Sequence, residues 1–208
     1  MKGLLLKEFY AVTVYCRIPL ALIILMPILF AFYENPVLGF YPYIFVCIFP
    51  VTLLSYDEYH KWDKYCGILP YTKAQIVSSK YLVACIVQAV LMIIGVASYS
   101  VKAAVLGGFD IVSLFSSFSL PLSVSFISTA LTLPFIFRFG VAKGRTIYYL
   151  VIGALAAVCI ALSKTYNVAF LEGEITPLAL VVICVISAAV FALSWALSVV
   201  LYKKCRSV

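Results

Sequence analysis

The chain has 208 residues, 65% of them hydrophobic and only 11% charged, and carries a formal net charge of +7. That balance excludes an ordinary soluble domain, because apolar runs recur along the whole length. It also argues against a nucleic-acid binder, because the positive charge is scattered in short clusters between those runs and not gathered on one basic face.

Met1–Arg17 carries Lys2, Lys7 and Glu8 among apolar residues, with nothing resembling a signal-peptide cleavage site after it. It reads as an interfacial helix (1–17) with Leu5, Phe9, Val12 and Cys16 on its lipid side. Six runs then qualify as membrane spans: Ile18–Tyr33, Val37–Ser55, Lys80–Val101, Ile111–Phe137, Thr146–Lys164 and Thr176–Tyr202. A helix needs ~20 apolar residues to cross a ~30 Å hydrocarbon core. Continuous apolar blocks without strict alternation favour helices over a membrane barrel. The expected fold is therefore an all-α membrane protein with six transmembrane helices in a single transmembrane domain, 1–208.

Thirteen of the fifteen basic residues lie in alternate segments: before span one, between spans two and three, between four and five, and after six. Only Lys102 and Lys164 fall on the other side, so the positive-inside rule places both termini in the cytoplasm of a multi-pass plasma-membrane protein. The expected outer turns, Glu34-Asn-Pro36, Gly107–Asp110 (with Asp110 as a cap) and Tyr166–Ile175, are short. Four of the seven cysteines fall within spans and no Cys-x-x-Cys occurs, which favours free buried thiols over disulfides or metal.

The largest polar island is Asp57–Pro70. Ser55-x-x-Glu58 is a possible capping box. Trp62, Tyr65, Cys66 and Leu69 share one face at i, i+3, i+4, i+7, and Tyr59 extends it. Asp57, Lys61 and Lys64 are placed to support that helix by i, i+4 pairing, Leu69-Pro70 stops it, and Thr72-x-x-Gln75 opens the next. The pattern is that of a short amphipathic surface helix. An aromatic headgroup belt and a docking helix for a soluble partner both explain it.

Asp57-Glu58, Trp62-Asp63, Tyr65, Leu69-Pro70, Lys73, Ile76-Val77 and Lys80-Tyr81 resemble, at the same spacing, the first cytoplasmic loop of small bacterial ABC exporter permeases, the ABC-type-two membrane subunits. A second stretch, Phe139-Gly-Val-Ala-Lys-Gly-Arg145, is similar to the loop between their fourth and fifth spans. The resemblance implies that the 57–70 loop is a coupling helix, with Asp57, Glu58, Trp62, Asp63, Tyr65, Leu69, Pro70 and Lys73 at an ATPase-coupling interface. Phe139, Gly140, Lys143 and Arg145 would form the second cytoplasmic loop. It further implies a partner ABC ATPase subunit that binds ATP and Mg, and a second permease copy or a sister permease. The nearest likeness is to the membrane subunit of phenol-soluble modulin exporters, implying amphipathic peptides or other hydrophobic molecules as cargo.

No phosphate-binding loop of the Gly-x-x-x-x-Gly-Lys type occurs, so this chain has no ATPase motif of its own and is not expected to be an enzyme. The one histidine, His60, is expected at a solvated surface, and the acids are too scattered for a metal cluster. No ionisable group is expected deep within a span, which disfavours a proton-coupled carrier. A path would then need neutral lining, for which Ser117, Ser125, Ser128 and Thr132 of span four are candidates. The bland account of these hydroxyls is close helix packing. A passive channel or secondary carrier and an integral membrane enzyme are the rival readings.

Overall fold

The computed structural model describes residues 2–32, 41–66, 68, 70–106, 111–165 and 177–205, all of whose regular elements are helices. In chain order they are α1 (Lys2–Tyr15), α2 (Arg17–Phe32), α3 (Tyr41–Tyr59), α4 (Trp62–Cys66), α5 (Lys73–Leu106), α6 (Ile111–Phe139), α7 (Val141–Thr165) and α8 (Pro177–Cys205). Three are individually long and apolar enough to cross a bilayer, over Lys73–Ala104, Phe118–Phe139 and Leu178–Lys204. The pair α1–α2, bent by 79° at Cys16, adds a fourth if it is one broken span. Among the described residues α2 has only 16 positions, too few to cross alone, and α3 carries Asp57 and Glu58 in its last turn, which lowers its apolar content. The expected turns at 34–36 and 107–110 and the segment 166–175 lie outside the described residues.

α6 is the spine of one half. It packs along α8 and α7 and touches α3 and α5, while α2, α3 and α5 pack on one another in the other half and α1 lies across α3 and α5. One apolar cluster joins Val12, Cys16, Ile23, Phe49, Val83 and Phe118, drawn from α1, α2, α3, α5 and α6. A second joins Cys66, Val77, Tyr81, Leu133, Phe191 and Tyr202 of α4, α5, α6 and α8. Burial corrects the expectation for α1. Val12 and Cys16 face the protein, together with Leu4 and Glu8, and the exposed side is Leu6, Phe9 and Tyr10. The i, i+4 row from Leu4 to Cys16 is the internal one because it meets α3 and α5.

The capping box at Thr72 forms in both directions. The Thr72 amide donates to Gln75 Oε1 at 3.1 Å and the Gln75 amide donates to Thr72 Oγ1 at 3.3 Å, so α5 begins at Lys73. Ser55 and Glu58, by contrast, lie inside α3 and start nothing. α3 runs on to Tyr59, where Lys61 adopts a left-handed backbone (φ 52°) and ends it. The continuous 57–70 helix is thereby replaced by a corner and the five-residue α4, with Leu69 outside the described residues.

The α6–α7 turn uses its two glycines differently. Gly140 sits at φ +85°, a conformation open to glycine, and allows the tight reversal. Gly144 lies within α7 and lets α6 approach, since a Cβ there would meet Ile136 Cγ1 at 2.2 Å. We expect Gly144→Ala to lower thermal stability in detergent by about 1–3 kcal/mol through overpacking. Gly153→Ala, with open space around its added methyl, should cost nothing. Equal melting temperatures for the two variants would contradict this close approach.

Candidate functional site

The last turn of α3 is where both family-like segments meet. Asp57 faces α1 and α5, accepting very short hydrogen bonds from Lys7 Nζ and Lys80 Nζ. Lys80 Nζ also donates to both oxygens of Glu8 at 2.7 Å, and Lys7 reaches Glu8 at 3.1 Å. Two bases and two acids therefore form a closed ring with every opposite-sign pair made. Glu8 is 0% and Lys80 3% exposed. Charges so deeply buried persist only when paired and hydrogen-bonded, since removal from water costs several kcal/mol per ion. The ring corrects one expectation: Asp57 pairs with Lys7 and Lys80 instead of with Lys61. Lys80, the first residue of the expected third span, is buried two turns into α5.

From the same ring Lys7 reaches α4, where its Nζ sits 4.1 Å from the centroid of the Trp62 ring. A desolvated cation over an indole face is worth roughly 0.5–2 kcal/mol. Trp62 also packs against the Cys66–Tyr81–Leu133 cluster, and its buried Nε1 has no hydrogen-bond partner among the described residues. Trp62 and Cys66 are thus the inward side of α4. Tyr59, Tyr65 and Ile68 point away from the protein at 79%, 62% and 85% exposure. The expected single stripe is split: Trp62 and Cys66 anchor α4, whereas Tyr65 on the same short helix and Tyr59 before the corner at Lys61 face outward.

The opposite side of the α3 turn holds the α6–α7 turn. Glu58 Oε2 accepts the Val141 amide at 3.1 Å, at the start of α7, and Arg145 Nη2 donates to Ser55 Oγ at 2.5 Å. A carboxylate on the first free amides of a helix is favoured by the helix dipole as well as by the bond. Phe139 is exposed, with Arg138 and Lys143 5.1 and 5.9 Å from its ring centroid. A cleft of about 230 Å³ opens between these elements, bordered by Asp57, Glu58, Trp62, Lys80, Arg138 and Val141. His60 is exposed as expected, within 3.3 Å of the Tyr15 hydroxyl; Tyr15 stacks on Tyr56.

Of the remaining expected residues, Pro70 is exposed and Lys73 opens α5. Asp63 lies in α4, but its side chain, like that of Ser117, falls outside the described residues. Ser125, Ser128 and Thr132 are buried within this one chain. Ser125 Oγ accepts from Gln88 at 2.7 Å and Thr132 bonds back to the Ser128 carbonyl at 3.0 Å, while Tyr81 links to Ser194 and Ser198 of α8 at 2.8 and 2.7 Å. The Gln88–Ser125 and Tyr81–Ser194/Ser198 bonds tie α5 to α6 and α8, Thr132 bonds within α6, and a path lined by these hydroxyls would require the helices to part. Among the described residues no group of His, Cys, Asp and Glu could hold a metal ion, and Cys16, Cys85 and Cys184 are free thiols.

The described residues thus form an all-helical body with two loops clasped at one end. Residues 3–203 match the family described as ABC-2 family transporter protein, and the chain belongs to that family. It is accordingly a permease subunit of an ABC transporter, a membrane transport component that is not itself catalytic and that in this family usually works with an ABC ATPase subunit. No curated protein and no solved structure matches the chain.

The ring makes a definite stability prediction. Lys80→Met leaves two buried carboxylates sharing Lys7 and should cost about 3–5 kcal/mol. Glu8→Gln with Lys80→Met removes one charge of each sign and should recover most of that loss. Thermal unfolding in detergent measures both, and a double variant no more stable than Lys80→Met would contradict the closed ring.

Proposed function

We propose that this chain is the permease of an ATP-driven exporter, with α4 and its flanking corner acting as the coupling helix that docks on a separate ATPase. The observation that carries this reading is the outward face of Tyr59, Tyr65 and Ile68, presented by a loop whose inner side is fixed by Trp62. Solvent-facing aromatic and aliphatic groups on a rigid base are what a protein interface uses as anchors. The exposed Phe139 and the clasp Glu58–Val141 place the second loop beside the first, so one ATPase surface can span both. In this reading Asp57, Glu58 and Trp62 set the shape of the docking surface from within, while Tyr65, Pro70, Lys143 and Phe139 touch the partner.

The topology that fits is six spans with both termini in the cytoplasm, α1 lying at the membrane interface; the basic clusters before span one and in both loops support it. The ATPase would supply the ATP and Mg sites, and two permeases, identical or sister copies, would enclose the path. Closure of the ATPases would move the two loops together, because Glu58 and Arg145 bind them to one helix turn. The cargo that fits an apolar, uncharged lining is an amphipathic peptide or another hydrophobic molecule. Such a lining binds by burial at roughly 25 cal/mol per Å² and tolerates sequence variation.

Co-expression of the permease with the ATPase tests the docking reading. Each anchor is worth about 2 kcal/mol, so Tyr65→Ala with Ile68→Ala should reduce capture of the ATPase at least tenfold and leave melting of the permease unchanged. Undiminished capture would exclude this face. Because the ATPase approaches from the cytoplasm, capture through this face also fixes the orientation.

The cargo reading is tested in proteoliposomes of the assembled complex. Amphipathic helical peptides should raise ATP turnover several-fold. Stimulation by a small hydrophilic solute, with no response to such peptides, would overturn the cargo and leave the permease assignment intact.

A further inference from the structure

The ring of Lys7, Glu8, Asp57 and Lys80 has a direction built into it. Two of its members, one base and one acid, are consecutive in α1, while the other base and acid belong to α5 and α3. If α1 separates, it keeps the Lys7–Glu8 pair and the remaining body keeps the Asp57–Lys80 pair, so both sides stay neutral. If α3 separates it carries Asp57 away alone, and if α5 separates it carries Lys80 away alone. An unpaired charge in a poorly hydrated interior is far costlier than a rearranged pair. The ring therefore resists every opening except one.

The backbone supplies a pivot for that opening. α1 meets α2 at Cys16 with a 79° bend, where the Cys16 amide closes the α1 ladder on Val12 and the Cys16 carbonyl opens that of α2 by accepting from the Leu20 amide, at 3.0 and 2.9 Å. A helix tethered so can swing without unfolding. Its inner row is thin, with Leu4, Glu8, Val12 and Cys16 buried and the other side exposed. Lys7 lies over Trp62, so α1 and α4 are tied where the loop reaches the surface.

We propose that α1 is a detachable arm, which parts from the α3–α5 body along the line between Lys7–Glu8 and Asp57–Lys80, turns about Cys16 and is moved by α4. The parting line stands on the ring alone. Its use in transport rests on α4 being the coupling helix, so the test is made on the permease without any ATPase.

Two double variants carry the same total charge and one residual ion pair each, but place that pair differently. Asp57→Asn with Lys80→Met leaves Lys7–Glu8 within the arm, and parting breaks no ion pair. Glu8→Gln with Lys80→Met leaves Lys7–Asp57 across the line, and parting breaks it. Cys16, 0% exposed at the pivot, reports the opening, and Cys85 in α5 reports general loosening. In proteoliposomes, alkylation by N-ethylmaleimide read by peptide mass spectrometry should modify Cys16 roughly tenfold faster in the first variant than in the second, with Cys85 alike in both. Should either fail to fold, a second pair repeats the contrast. Lys7→Met with Glu8→Gln keeps Asp57–Lys80 inside the body and should open, whereas Lys7→Met with Asp57→Asn keeps Glu8–Lys80 across the line and should stay shut. Equal Cys16 rates within both pairs, or Cys85 rising in step with Cys16, would overturn the proposal. Failure of ATPase capture with the contrast intact would instead count against the coupling reading.

Discussion

Two charges held away from water, Glu8 and Lys80, and the two partly exposed ones that complete their ring, Lys7 and Asp57, constrain almost everything else at this end of the protein. Lys80 cannot sit 3% exposed in α5 unless Glu8 and Asp57 come to it, and those acids bring α1 and the last turn of α3 with them. Lys7 completes the ring and in doing so covers Trp62, which fixes α4. A buried ion ring contributes little net stability compared with apolar packing of the same volume. Its effect is on geometry, because the four groups hold α1, α3 and α5 together and only a parting of α1 leaves every charge a partner.

The same helix turn carries the second constraint on its other side. Glu58 and Ser55 hold Val141 and Arg145, and Gly140 allows the reversal that brings them there. Both loops are therefore mounted on one rigid turn. A soluble subunit pressing on either loop acts on α3 directly, and through α3 on α5, α6 and α7. A permease that must turn an external push into helix motion gains from such a mounting, since force is not lost in slack between two independent loops.

Much of this was legible in the letters. The Thr72–Gln75 box marks the true start of α5, and the Phe139–Arg145 pattern marks the reversal between α6 and α7. What escaped was tertiary. Lys80 reads as a charge at the mouth of a span if the span is drawn by hydropathy alone, although the capping box already places it two turns inside the helix. Glu8 reads as part of a surface helix because no local pattern says that its partner is 72 positions away. Trp62 reads as a docking anchor since periodicity shows which residues share a face but not which way the face looks. The left-handed Lys61, which ends α3 and sets α4 apart from it, has no glycine or asparagine to announce it. The serines of α6 were visible as a group, but only their bonds to Gln88 and to backbone carbonyls identify them as internal.

The central claim is that the docking surface is shaped from within this chain, by the α3 turn and its ring, before any partner arrives. Hydrogen–deuterium exchange of the isolated permease in nanodiscs measures this directly. The account predicts slow amide exchange in the peptides covering 55–66 and 139–145 without ATPase, and faster exchange in the 55–66 peptide when Lys80→Met breaks the ring. Rapid exchange of both peptides in the isolated wild-type protein, with protection appearing only on addition of the ATPase, would contradict it.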